Sequence, residues 1–331
     1  MKKRRPNLQD IADEVGVTKM TVSRCLRDSS KVSSTTYQKI MEVIDRLGYI
    51  PNKAPELLSN SKSRSLGVLV PSLTNHVFAE VIRGIENITE AHGYQTMLAH
   101  YGYSQEIEEE RISNLLAYHV DGLILSESQH SERTLKMIET SGVPVVEIMD
   151  LNADPILKSV GFDNEKAGYE MTSLMVERGC KQIVYLGARL DERTKLKLAG
   201  YNRAMTDKQL LSTNVLTDKS SSFSLGAELL NKALAMYPSL DGVFCTNDDL
   251  AIGALFECQR LGIKVPQDIS IAGFHGHDVG QAMEPKLASV ITPRFEIGQE
   301  AAKQLLESIK QDSNTKQSLD LGFTLFSGGT I

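Results

Sequence analysis

At 331 residues, 41% of them hydrophobic and 24% charged, the chain is too long for one small domain and has the composition of an ordinary soluble protein with two or three apolar cores. Its net charge of −6 is unevenly laid out: residues 1–64 hold 13 Lys and Arg against 7 Asp and Glu, leaving 23 against 35 for the remainder. A basic head suits a polyanion such as nucleic acid, or is simply a solvated charged surface, whereas an acidic body suits only solubility.

Lys2, Lys3, Arg4 and Arg5 begin like a signal peptide, but no apolar run follows them, so the expected location is the cytoplasm. No stretch approaches the roughly 18 to 20 apolar residues that span a bilayer. Cys25, Cys180, Cys245 and Cys258 stand far apart with no CxxC pair, which gives no sign of a zinc knuckle or a disulfide framework and predicts small buried residues.

In chain order, the pattern predicts a first helix over residues 8–15, with Asn7 as N-cap, Ile11, Ala12 and Val15 inward, and Gly16 as a left-handed C-cap. Thr18 then caps a second helix whose Val22, Cys25 and Leu26 share one face, so that Lys19, Met20, Ser23 and Arg24 face out. A third helix starts at Ser33, carries Ile40, Val43, Ile44 and Leu47, and stops at Gly48. Three short helices with one tight Gly turn describe a helix-turn-helix, although many helical hairpins share that pattern without touching DNA. Here the second helix shows side chains that reach base edges near its N-terminus, and Arg24 sits one turn on to meet phosphate. The helix is therefore polar toward a major groove and apolar toward its neighbours.

The run LQDIADEVGVTKMTVSRCL, followed by VSSTTYQKIMEVIDRLGYIPNKAPELLSN, resembles the headpiece of the LacI/GalR family of bacterial repressors. The resemblance implies that Thr18, Lys19, Met20, Thr21, Ser23 and Arg24 meet DNA. It also implies a hinge helix after YIPN, containing Asn52, Pro55 and Leu58, which forms on operator, pairs with its twin and wedges Leu58 into the minor groove. Pro55 departs from the family's commoner small residue, and a first-turn proline is tolerable because its missing N–H had no partner. Without DNA, residues 49–62 read as a flexible linker.

From Leu66 onward, the apolar runs LGVLV, YQTMLA, DGLIL, PVVEIM, QIVYLG, DGVFCT, ISIAGF and ASVIT alternate with amphipathic helices. This predicts an α/β fold of two doubly wound parallel sheets, with a ligand crevice at the carboxyl ends of the strands. The motifs PSLTNHVFAEVIRGIE, VGFDNEKAG, LDERTKLKLAGY, DGVFCTNDDLAIGAL, ISIAGFHGHD and LASVITPRFEIGQEAA resemble the periplasmic-binding-protein-like core of the same family, and the likeness covers essentially the whole chain. The combination of APELLSN, HGYQTMLAHY, LDERT, FCTNDDLA, AGFHGHD and LDLGFTL is similar in particular to the gluconate-utilisation repressors.

The expected organisation is a DNA-binding domain over residues 1–48, a hinge or linker over 49–62, and an effector-binding core over 63–331. Lobe 1 of that core takes about 63–162 and 293–323, and lobe 2 takes about 163–290 and 324–331. By resemblance, the effector pocket draws on Ser72, Asn75, Phe78, Asp150, Lys197, Asn247 and His275. Asn247 either offers a donor and an acceptor to a hydroxyl or caps the helix beginning at Asp248.

His275 replaces the acid that sugar-binding relatives carry after the Gly-aromatic pair, and Arg189 and Arg193 flank the loop leading to Lys197. A pocket so altered favours an anion, with a sugar-acid carboxylate among Lys197, Arg193 and His275. His275 and His277 form an HxH pair, but no third ligand stands near them in sequence, so neither metal nor cofactor is expected.

An enzyme is the competing class, and the sequence has no GxGxxG after a strand, GxxxxGK[ST], GxSxG or HExxH. A plain solute receptor is the third, opposed by the helix-turn-helix. The resemblance therefore implies a non-enzymatic transcriptional regulator that binds two-fold operator DNA as a homodimer. Its expected partners are operator DNA and gluconate or a related sugar acid, with no membrane.

Overall fold

A computed structural model describes residues 4–51, 62–152, 154–311 and 315–331. The chain divides into two compact units, Met1–Lys62 and Ser63–Ile331.

In the first unit, helix α1 (Leu8–Val15) opens with a capping box. The Asn7 side chain accepts from the Gln9 and Asp10 amides, while Asp10 accepts from the Asn7 amide, so orphan donors are satisfied at both ends of the turn. Gly16 closes the helix at φ 76°, a left-handed conformation that a side chain would strain. Thr18 starts α2 (Lys19–Arg27) by accepting from the Thr21 amide. A single 3-10 turn, Ser29–Lys31, which the helical pattern did not foretell, leads to Ser33 and α3 (Ser34–Leu47). Ile11, Ala12, Val22, Cys25, Ile40 and Ile44 meet as the core of this unit.

The second unit holds two six-stranded sheets. The first contains β1 (Ser65–Val70), β2 (Gln95–His100), β3 (Gly122–Leu125), β4 (Val145–Ile148), β5 (Lys158–Gly161) and β11 (Gln317–Asp320). Its spatial order is β11-β5-β4-β3-β1-β2, parallel throughout. The second contains β6 (Ile183–Ala188), β7 (Thr213–Thr217), β8 (Gly242–Cys245), β9 (Ser270–His275), β10 (Ala288–Ile291) and β12 (Thr324–Phe326). Its order is β12-β10-β9-β8-β6-β7, and only β12 runs antiparallel to its neighbour. The chain thus passes between the sheets three times, after β5, after β10 and after β11, so each lobe is assembled from separate stretches of sequence. The fold is α/β, a helix-turn-helix unit plus a two-lobed core of parallel sheets.

The helices that position the cleft are α4 (His76–Ala91), α7 (Asn164–Glu177), α8 (Glu192–Asp207), α10 (Asp248–Leu261) and α12 (Arg294–Gln311). Helices α7 and α8 approach so closely that a Cβ on Gly200 would lie 2.0 Å from the Glu165 carbonyl oxygen. The strands between them are near-continuous apolar runs, as sheets covered on both faces require. All four cysteines are buried and free. Among the described residues, no helix is long and apolar enough to cross a membrane.

Candidate functional site

In the first unit, Thr18, Lys19 and Met20 are exposed, as is Arg24, while Thr21 and Ser23 are half-buried. Met20 leaves 68% of its surface in solvent, so its side chain is free to meet a partner. The Thr18 and Thr21 hydroxyls lie 2.9 Å apart within the cap, and Ser23 accepts from Arg27 at 3.3 Å. Lys19, Met20 and Ser23 share one hollow with Arg5 and the segment Tyr49–Pro51. Asn52, Pro55 and Leu58 lie outside the described residues.

In the second unit, the carboxyl ends of the strands converge on a narrow cleft between the lobes, with a cavity volume of about 20 Å³. Lobe 1 contributes Asn75 and Phe78 after β1, Tyr103 after β2 and Met149 after β4; lobe 2 contributes Arg189, Arg193, Lys197, Thr246 and His275. Five of the eight residues expected there, Asn75, Phe78, Arg193, Lys197 and His275, are brought together.

The other three do not line that cavity, and each is engaged in local hydrogen bonds. The Ser72 hydroxyl shapes its own loop, accepting from the Thr74 amide at 3.2 Å. Asp150 is tied down by the Asn164 side-chain amide at 3.0 Å and the Leu151 amide at 2.9 Å. Asn247 caps α10 by accepting from the Leu250 amide, and its Nδ2 donates to Ser221 at 2.7 Å. The capping alternative for Asn247 is the one observed, and its neighbour Thr246 reaches the cavity instead.

Lys197 is buried on α8, its Nζ 3.3 Å from the Thr246 carbonyl oxygen and 3.1 Å from His275 Nε2. It also lies 3.9 Å above the centre of the Phe274 ring, a cation–π contact. Burial pushes its pKa down to about 7; Asp191 and Asp150 pull it up, while Arg193 and Arg189 push it further down. Burial and the neighbouring Lys197 hold the His275 imidazole well below its ordinary range. A neutral ring fits the geometry, with Nε2 accepting from Lys197 and Nδ1 donating to Thr292 Oγ1 at 3.3 Å. His275 also sits at φ 100°, a strained backbone for a non-glycine residue and one that clusters at ligand sites.

The two arginines divide their roles. Arg193 crosses the cleft to Glu127 at 3.0 Å and donates to the Ser126 carbonyl oxygen, so its charge is answered by the opposite lobe. Where a ligand carboxylate was expected beside Arg193, the structure without ligand has the Glu127 carboxylate. Arg189, named only as a flanking residue from sequence, stacks 5.1 Å over the Tyr103 ring, and its buried Nε has no hydrogen-bond partner. Asp191 caps α8 through the Thr194 amide. Burial would raise its pKa, but Arg193, that amide, Arg189 and Lys197 outweigh burial and hold it low.

Neither Tyr103 nor Asp191 was expected in the site. Asp191 is the second residue of LDERT, and an Asp just before a helical stretch was the available capping signal. Tyr103 has no local signature. The His277 ring stacks on that of His275 with centres 6.2 Å apart, and its nitrogens are grouped with His76 and Asp249.

Residues 7–52 match the family described as bacterial regulatory proteins, lacI family, and residues 63–326 match the periplasmic binding proteins and sugar binding domain of the LacI family. The chain is 60% identical over 331 residues, the whole of both chains, to the HTH-type transcriptional regulator GntR of Escherichia coli (strain K12). A LacI-family transcriptional regulator from Silicibacter pomeroyi superimposes with a TM-score of 0.89 at 31% identity, covering 98% of this chain and 99% of that one. The lac repressor dimer, bound to operator and the anti-inducer ONPF, superimposes with a TM-score of 0.83 at 25% identity, covering 99% of each. These relatives are DNA-binding regulators rather than enzymes, and this chain belongs to the LacI family of bacterial transcriptional regulators.

Proposed function

We propose that this regulator is a repressor of sugar-acid uptake and catabolism genes, released from its operator when gluconate or a related aldonate enters the inter-lobe cleft. The observation that carries the reading is a buried lysine, Lys197, whose hydrogen-bond partners are a carbonyl and an imidazole rather than a carboxylate. Beside it stands Arg189, with a buried N–H that has no partner. Several cationic groups crowded into a buried cleft are costly, and an entering carboxylate offsets the cost.

In this reading, Lys197 and Arg189 take the carboxylate. Asn75 and Thr246 offer donors and acceptors to hydroxyls, neutral His275 holds the Lys197 amine in place, and Phe78 packs against the carbon chain. Arg193 and Glu127 hold the lobes in register.

The DNA side rests on the exposed row Lys19, Met20 and Arg24 and on the kinship with a repressor seen as a dimer on operator. One recognition helix reads too few base pairs, so a homodimer on a two-fold operator in the cytoplasm is the working form, with Leu58 of the hinge as the minor-groove wedge. Residues 1–48, 49–62 and 63–331 serve as head, hinge and effector core in this scheme. Calorimetric titration of the full chain with gluconate, other aldonates and glucose tests the ligand reading. Aldonates are expected to bind and glucose to fail; equal affinity for glucose and gluconate refutes it.

A further inference from the structure

Behind His275, on the far side of Gly276, lies a second group of polar side chains that the effector reading leaves unused. His76 is the first residue of α4 in lobe 1, Asp249 is in the first turn of α10 in lobe 2, and His277 is in the loop after β9. Each offers one ligand atom, and these atoms all lie within 4.8 Å of one another. His277 is only 4% exposed, yet neither of its ring nitrogens has a hydrogen-bond partner, and Asp249 Oδ1 also has none. His277 Nδ1 and Asp249 Oδ1 stand 3.5 Å apart without a hydrogen bond between them.

The His277 ring is not spent as a helix cap either, since the short helix it precedes has no side-chain cap. The His76 ring meets it edge to face, with centres 5.9 Å apart. A buried imidazole with both nitrogens idle is rare, because each is a strong donor or acceptor removed from water. Two imidazoles and a carboxylate facing one point form the donor set of a borderline divalent transition metal, whereas Mg²⁺ and Ca²⁺ want oxygen.

We propose that His76, Asp249 and His277 form a site for Zn²⁺ or a similar transition-metal ion, which ties the first helix of lobe 1 to lobe 2. Around such an ion the ligand atoms would lie roughly 3.3 Å apart, as bonds of about 2.0 to 2.1 Å in a tetrahedron require. The cluster therefore has to contract a little, and exposed His76, at a helix end, is the member free to move. The fourth position falls to water or to Glu80, which lies one turn after His76 and lines the same hollow. Arg83 holds Glu80 at 2.7 Å in the absence of metal, and Arg294 also borders the hollow. These cations weaken the site against a fully acidic one. Because the ligands come from both lobes, the ion clamps one lobe to the other and fixes the turn that carries His275.

The test uses the untagged full chain, stripped with EDTA and titrated with Zn²⁺ against a chromophoric chelator, with Co²⁺ as a spectroscopic substitute. One Zn²⁺ per chain is expected, with a Kd of about a micromolar or below. Co²⁺ should give the intense visible absorption of a tetrahedral site, and Mg²⁺ should not compete. His76→Ala, at an exposed position, and Asp249→Asn should each weaken Zn²⁺ by at least about tenfold and abolish the Co²⁺ signal, with unchanged thermal unfolding in EDTA. No stoichiometric Zn²⁺ binding by the wild type, or binding that both variants leave intact, overturns the proposal. The first result makes the cluster a hydrated pocket, and the second places the ion elsewhere.

Discussion

Effector binding should be a protonation event at Lys197. Burial brings its pKa down to about 7 in the empty cleft, so at pH 8 roughly nine-tenths of the chains carry a neutral amine there. A carboxylate docking beside Nζ favours the ammonium and draws the pKa back toward its ordinary value near 10.4. Binding should therefore take up close to one proton at pH 8, about half a proton at pH 7 and almost none at pH 6. Gluconate affinity should be flat below pH 7 and fall about tenfold per unit above it. The energy involved is large. A displacement from 10.5 to about 7 corresponds to a charging cost on the order of 5 kcal/mol at about 1.4 kcal/mol per unit.

The same shift governs folding. The pKa is lower in the folded chain, so this penalty is absent above the unfolded-state pKa and fully present once pH falls below about 7. Lys197→Met should accordingly stabilise the empty protein near pH 6 by a few kcal/mol while abolishing gluconate binding. Calorimetry in two buffers of different ionisation enthalpy counts the protons, and urea unfolding at pH 6 measures the stability. Gluconate affinity that does not change from pH 6 to pH 9 would refute the reasoning, as would a Lys197→Met variant that still binds with proton uptake.

Three other outcomes follow from the packing. His130 is buried in lobe 1 with Nδ1 3.0 Å from Glu108 and Nε2 3.7 Å from Glu147. Burial would lower its pKa, but these carboxylates outweigh burial and raise it to about 9. Its contribution, about 3 kcal/mol, is fully present below pH 6.5 and lost as pH rises through 9, so the stability difference between wild type and His130→Gln should shrink from pH 6 to pH 10. Gly200→Ala should destabilise by at least about 1 to 3 kcal/mol in urea, against the roughly 1 kcal/mol gain of that change in an open helix, because the new methyl meets the Glu165 carbonyl; a gain in stability would show that α7 and α8 are not so close. In the head, Lys19→Ala or Met20→Ala should relax operator preference with stability within about 0.5 kcal/mol of wild type. Ile40→Ala should instead cost about 2 to 5 kcal/mol and melt the small domain, as circular dichroism would report.

Where one residue's chemistry decides local structure, the sequence was legible. Asn7, Gly16, Thr18, Ser33 and Gly48 mark the helix ends of the head, and each does so in the structure. The eight apolar runs all became strands. Four strands escaped notice: β7, β11 and β12 are short, partly exposed edge strands, and β5 (KSVG) is buried but begins with Lys and Ser. Strands of this kind are held by their neighbours in the sheet rather than by their own pattern.

The cleft divides the same way. Lys197 and His275 were visible because they are unusual residues at motif positions. The fate of Asn247 was not, because capping and ligand binding demand the same side chain. The pairing of Arg193 with Glu127 and the meeting of His76 with His277 join distant stretches of chain, and only the packing of the two lobes brings them together.

Release from operator tests the central claim most directly. Duplexes selected from a random-sequence pool by the full-length protein provide the operator, and fluorescence anisotropy follows the complex as sugars are added at fixed pH and salt. Gluconate should dissociate the wild-type complex while glucose leaves it intact, and the Lys197→Met protein should bind the same duplex but stay bound in gluconate. A wild-type complex indifferent to gluconate and other aldonates, or one that glucose releases equally well, would contradict the account.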